Sequence, residues 1–302
     1  MNKIITRFVA ISMMMLSMTA FSQSFALPEM PDSLTDPRDR ANYLVLHYWD
    51  NFIFQYTLLT QNATEQAFVD YVNIMPHAAK DTVVLSINNM LTTADKEPTG
   101  KLYSYFLELA EKYLYEMSSP VHNDEYYIPV AEHIIANKRL PDIESVRPTY
   151  RLNHLLKNRA GTTATDIEYT AMTNAVIGYE TKKLSDIVAD YTLLLFYNPE
   201  CGHCVEAIKA LKASAVIESL TSSGKLRILA FYPSNDVDTW KQFTSNLPKN
   251  WFNGFDKEFK VTNSTSPTYE LRQLPTMYLL DKDKTILMKE LTVEAVEKYF
   301  VD

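Results

Sequence analysis

Cysteine is nearly absent: the 302 residues hold two, Cys201 and Cys204, three positions apart. That scarcity excludes a disulfide-stapled scaffold. It also excludes a structural zinc centre, which needs four ligands, because no second Cys or His pair stands at suitable spacing. An excess of positive charge is missing too. Against 37 Asp and Glu there are 29 Lys and Arg, a formal charge of −8, which argues against nucleic acid as a partner. Long apolar runs are lacking as well: the N-terminal one, Phe8 to Ala20, falls short of the roughly 20 residues a membrane span requires. There is no internal repeat and no low-complexity tract.

What the N-terminus does have is the layout of a secretory signal. Lys3 and Arg7 form a basic leader, Phe8 to Ala20 an apolar stretch, and Ala20-Phe21-Ser22 a small-residue cleavage pattern before Gln23. Residues 1–22 are therefore expected to be removed as a signal peptide. Their loss makes the remainder two charges more negative, since they carry Lys3 and Arg7 and no acid. With no cysteine near the cut there is no site for a lipid anchor, so the mature protein is expected to be soluble and periplasmic or otherwise exported, not membrane-spanning. Exported proteins often carry structural disulfides. Here every cysteine sits in one four-residue motif, an allocation that favours a working dithiol over a staple.

Residues 31–158 read as an all-α helical bundle. In Tyr43 to Phe54 large apolar groups recur at three- and four-residue spacings, as a buried helix face requires. Further helices are expected over Thr64 to Met75, Asp81 to Ala94, Leu102 to Met117 and Tyr126 to Asn137, separated by Pro76, Pro98-Thr99-Gly100 and Ser118-Ser119-Pro120. The aromatic stripe Tyr43, Tyr48, Trp49, Phe52 and Phe54 is read as core packing, with a peptide groove as the alternative.

After the small polar linker Gly161 to Thr165 the pattern becomes α/β, and residues 161–302 form the second expected domain. Asp166 to Glu180 predicts one or two short strands. Thr192 to Asn198 and Leu226 to Tyr232 are continuous apolar runs of the kind buried on both faces of a sheet. One helix is expected from Cys204 through Ala215 to Ser223-Gly224, another over Asp236 to Asn246, then a hairpin of Met277 to Leu280 with Ile286 to Lys289, and a closing helix Val293 to Phe300.

The chemistry concentrates at Cys201-Gly202-His203-Cys204, between a strand and a helix. A cysteine there has its sulfur near unpaired backbone N–H groups and the positive end of the helix dipole, which favours the thiolate that attacks disulfides. A lone structural disulfide is the bland alternative. Cys201 is the expected nucleophile and the deeper Cys204 the resolving thiol, with His203, when protonated, supporting the Cys201 thiolate and Glu200 opposing it.

Leu193-Leu194-Leu195-Phe196-Tyr197-Asn198-Pro199-Glu200-Cys201-Gly202-His203-Cys204 resembles the active-site segment of the thioredoxin superfamily, and Leu274-Pro275-Thr276 resembles that family's cis-proline loop. An N-terminal strand pair and an added helix before the proline loop make residues 161–302 most similar to its exported thiol-disulfide interchange branch. Tyr43 to Phe54 resembles the helical domain of unknown function that precedes such domains in envelope proteins of some Gram-negative bacteria. The resemblance implies a C-terminal thioredoxin fold, a mixed sheet flanked by helices, after an all-α domain. It implies a thiol-disulfide oxidoreductase with Cys201, Cys204 and His203 in catalysis and Leu274, Pro275 and Thr276 docking substrate. No cofactor and no metal is called for, because the dithiol is itself the redox group. The implied partners are disulfide-containing envelope proteins and a membrane redox protein that resets the dithiol. Leu195 stands where many thioredoxins carry a buried acid, so the proton of Cys204 is expected to leave through water or a carboxylate such as Glu206. The rival reading is an envelope peptide- or protein-binding module on a vestigial thioredoxin scaffold.

Overall fold

The computed structural model describes residues 25–173, 178–262 and 267–301, so the signal peptide expected at 1–22 lies outside the described residues. The chain divides into two compact units, one ending at Thr149 and the other starting at Tyr150.

The first unit is helical. Helix α1 (Pro37–His47) starts where the sequence allows a start: Pro37 opens it, and the Asp36 carboxylate accepts the N–H groups of Arg38 and Asp39. α2 (Gln61–Ile74), α3 (Lys80–Asp95) and α4 (Lys101–Ala110) follow, and α4 runs on into a π-turn at Glu111–Tyr115. α5 (Asp124–Ala136) is capped by Asn123, and α6 (Asp142–Leu155) crosses the unit boundary. Two expectations change. The helix over Tyr43 to Phe54 stops at His47, where Asp50 takes the His47 ring at 2.7 Å and residues 48–51 form a turn. α6 was not anticipated, because Pro148 lies in its middle.

Trp49 is the hub of this unit's core. Its ring centroid lies 5.3 Å from that of Phe25, 5.2 Å from Tyr48, 5.4 Å from Phe52, 5.5 Å from Tyr71 and 5.2 Å from Phe106. Most of these pairs are edge-to-face, the geometry that the ring quadrupoles favour. The phenols are satisfied inside: Tyr48 donates to the Ala67 carbonyl at 2.9 Å, and Tyr71 donates to Ser86, which donates to the Val45 carbonyl. The aromatic stripe is core, not groove, at Tyr48, Trp49 and Phe52.

The second unit is built on a seven-stranded mixed sheet. Its strands are β1 (Glu168–Met172), β2 (Tyr179–Lys183), β3 (Tyr191–Phe196), β4 (Leu226–Tyr232), β5 (Phe252–Phe255), β6 (Thr276–Asp281) and β7 (Ile286–Lys289), in the order β2-β1-β5-β4-β3-β6-β7. β3 runs parallel to β4 and antiparallel to β6, with Leu195 opposite Ala230 and Met277. Alternation assigns the two faces. Leu193, Leu195, Ile228, Ala230 and Leu279 join the core beneath α7 (Gly202–Ala213), α8 (Ala215–Ser222), α9 (Val237–Thr244) and α10 (Val293–Val301). Leu194, Phe196, Leu229 and Phe231 face the other way, against Ile167, Tyr169, Leu184 and Tyr269.

The single helix expected from Cys204 to Ser223 is two, broken at Ser214, whose backbone is extended and whose hydroxyl accepts the Ile217 N–H. β5 was not foreseen, since Asn253 and Gly254 dilute its strand signal. Gly254 is required there: a Cβ built on it would lie 2.3 Å from the Tyr169 ring, so only glycine lets β5 close on β1.

Candidate active site

β3 delivers the chain to the site. The N–H of Tyr197 still joins the sheet, donating to Phe231 at 3.1 Å, and then Pro199, which has no N–H, ends the ladder. A tight turn follows in which the Cys201 N–H donates to the Asn198 carbonyl at 3.1 Å. Cys201 occupies the cap position of α7, and its carbonyl accepts the Val205 N–H at 3.1 Å. No side chain caps this helix among the described residues, so its first-turn N–H groups and the positive end of its dipole are left beside the Cys201 sulfur. Gly202 faces open space, which leaves the approach to that sulfur clear.

Both cysteines are free thiols. Cys201 is half-buried, whereas Cys204, one turn into α7, is fully buried in the core cluster with Leu195, Tyr197, Ile208 and Trp240. Burial pushes the Cys204 thiol up to about 12; the Asn198 N–H, 3.4 Å from its sulfur, pulls the other way, and the Cys201 sulfur adds to the rise. The pair is thus asymmetric: one sulfur is half-exposed, and burial favours the thiol form of the other.

The proline loop meets this dithiol. The Leu274–Pro275 bond is cis, and the Cys201 thiol donates to the Leu274 carbonyl at 3.6 Å. Thr276 is buried at the start of β6, with its hydroxyl donated to the Gln273 carbonyl at 2.6 Å, so that hydroxyl closes the loop internally. His203 points into solvent, with 88% of its side chain exposed and Nδ1 3.8 Å from Glu206; its partner is that carboxylate and not Cys201. Glu206 is itself 80% exposed, whereas Cys204 is sealed. Leu195 is fully buried among apolar neighbours, which leaves no acid behind the dithiol on β3.

Two features escaped the sequence reading. Asn198 holds the turn through its backbone and through its side chain, which accepts the Glu200 N–H at 2.9 Å; the Asn-Pro pair after a strand is the signal that could have found it. Asn253 fastens α9 beneath the site: its carbonyl oxygen accepts from Tyr197 at 3.2 Å and Trp240 at 2.9 Å, and its amide donates to Thr244 at 3.2 Å. These partners come from separate elements, so no local pattern joins them.

A dithiol at a strand-to-helix junction beside a cis-proline loop, on a mixed sheet, is a thioredoxin-like arrangement. Residues 6–158 match the family described as a domain of unknown function, DUF5106. The chain is similar to the crystal structure of a thioredoxin-like protein from Bacteroides caccae ATCC 43185, 38% identical, covering 92% of this chain and 98% of that one with a TM-score of 0.84. It is also similar to the C-terminal domain of an uncharacterized protein from Bacteroides fragilis NCTC 9343 (42% identity, 48% of this chain and 99% of that one, TM-score 0.44). A further likeness is to the thioredoxin domain of a thiol-disulfide oxidoreductase from Bacteroides vulgatus (19% identity, 48% and 99%, TM-score 0.40). No curated protein matches the sequence. The chain belongs to the thioredoxin-like proteins that carry an N-terminal DUF5106 domain.

Proposed function

We propose that the protein is an exported enzyme that exchanges disulfides with envelope proteins through the Cys201/Cys204 dithiol. The observation that carries this reading is the asymmetry of the two sulfurs: Cys201 lies at the open N-terminus of α7, 3.6 Å from the Leu274 carbonyl, and Cys204 lies sealed beneath it.

In the reducing direction, the Cys201 thiolate attacks one sulfur of a substrate disulfide. The Cys201–substrate bond forms, and the other substrate sulfur leaves with the electron pair and takes up a proton. Cys204 then gives up its proton to water and attacks the Cys201 sulfur. The Cys201–Cys204 disulfide forms and the second substrate sulfur leaves as a thiol, so two electrons have passed from the dithiol to the substrate. Leu274 presents its backbone to an extended substrate segment beside Cys201, in the manner of strand addition. Burial of Cys204 keeps it a thiol until the mixed disulfide brings an electrophilic sulfur against it. A membrane partner resets the couple.

Gly202-His203 is the dipeptide of protein disulfide isomerases, whose potential is about −180 mV against about −270 mV for thioredoxin. With His203 in solvent, its effect on the dithiol is a through-solvent one, and salt will screen it. The test is turnover of a disulfide-bonded protein substrate by the reduced chain and its Cys201→Ser variant. Turnover that disappears in the variant supports the reading. Equal rates for the two would leave a binding module on a vestigial scaffold in its place.

A further inference from the structure

Resting on that reading, we propose that Asn198 is the positioning residue of the resolving step: its side chain fixes the turn that keeps its own backbone N–H aimed at the Cys204 sulfur. Three hydrogen bonds converge on this residue. Its N–H donates to Cys204 Sγ at 3.4 Å, its carbonyl accepts the Cys201 N–H at 3.1 Å, and its side-chain Oδ1 accepts the Glu200 N–H at 2.9 Å.

The third bond is an Asx turn, in which a side-chain oxygen reproduces a backbone turn two residues on. It bridges Pro199, whose fixed ring supplies no donor and biases Asn198 to an extended backbone. Tyr197 is the last residue whose N–H is taken by the sheet, so the next N–H, that of Asn198, is released to the sulfur.

The chemistry that needs this donor is the second half of exchange. Cys204 must lose a proton inside an apolar cluster where Leu195 offers no acid. A backbone N–H favours the anion over the thiol, because a hydrogen bond to a charged acceptor is roughly twice as strong as one to a neutral acceptor. The Cys201 sulfur beside that of Cys204 favours the thiol. The Asn198 N–H is therefore the built-in stabiliser of the resolving thiolate, and the side chain that locks the turn governs it. The step itself is unchanged: the Cys204 pair forms the new sulfur–sulfur bond, the Cys201–substrate bond breaks, and the proton of Cys204 goes to water.

The test uses the full reduced chain and a dithiobis-nitrobenzoate probe. Attack by Cys201 releases one coloured thiolate, and displacement by Cys204 releases the second. Asn198→Ala is expected to slow the second release about tenfold at neutral pH, well beyond any change in the first, and to move the pH midpoint of the second up by about one unit. Asn198→Ser, whose hydroxyl makes the same turn more weakly, is expected to restore part of the loss. A second release in Asn198→Ala with the wild-type rate and midpoint overturns the inference. So does a parallel fall of both releases and of the thermal midpoint with no change in pH profile, which would mark Asn198 as merely structural. A wild-type chain that gives the first release but never the second would overturn the oxidoreductase reading itself, irrespective of Asn198.

Discussion

The two units use buried polar chemistry in opposite ways. In the helical unit the buried phenols of Tyr48 and Tyr71 are hydrogen-bonded internally, burial drives both pKa values upward, and the rings stay neutral packing elements around Trp49. In the sheet unit burial drives the Cys204 thiol upward by the same physics, but there the group has a partner sulfur one turn away and an open surface beside it. Burial that only keeps phenols neutral in one unit sets, in the proposed exchange, the order of reaction in the other: Cys201 first and Cys204 second.

Removing the first sulfur is the largest blow to this contrast. Cys201→Ser should bring disulfide turnover down to the uncatalysed rate while circular dichroism of the whole chain stays unaltered. Next in size is Trp49→Ala, which empties the aromatic hub of the helical unit and should cost about 3–5 kcal/mol by denaturant unfolding. The rate at which Cys201 reacts with the nitrobenzoate probe should not change. A loss of thiol reactivity in that variant would break the separation of roles. Gly254→Ala, which forces a methyl against Tyr169 in the sheet unit, should cost about 1–3 kcal/mol in the same assay.

The last effect is in pH dependence. A thiol whose pKa is raised on folding contributes stability that is fully present below its unfolded value and is lost as pH climbs towards the folded one. For the reduced protein, Cys204 therefore begins to withdraw stability above about pH 8.5, the ordinary thiol value, and continues until about 12. The helical phenols, raised in the same sense, begin only above about pH 10. Cys204→Ala should flatten the unfolding free energy between those two onsets and leave the higher one in place, as alkaline denaturation curves of both proteins would show.

Continuous apolar runs made β3 and β4 legible, because strands buried on both faces leave no alternation to misread. The three-position spacing of Cys201 and Cys204 could be read directly, whereas the cis bond at Pro275 came only through the resemblance to the thioredoxin superfamily. What was hidden depended on partners distant in the chain. β5 is a strand because Gly254 fits under Tyr169, and the aromatic segment after His47 leaves the helix while its rings remain buried. Thr276 and His203 were themselves expected at the site, yet the Thr276 hydroxyl bonds within its own loop and the His203 ring faces water. A side chain's direction is fixed by packing, which a motif does not encode.

The central claim is that Cys201 and Cys204 act as one two-electron couple. Equilibrating the full chain in glutathione buffers of graded potential and trapping free thiols by alkylation tests it directly. The account predicts that both thiols disappear together along a single transition, with about 30 mV per tenfold change in the ratio. Glutathione accumulating on Cys201 while Cys204 stays free, or Cys204 remaining alkylatable at every potential, would contradict it.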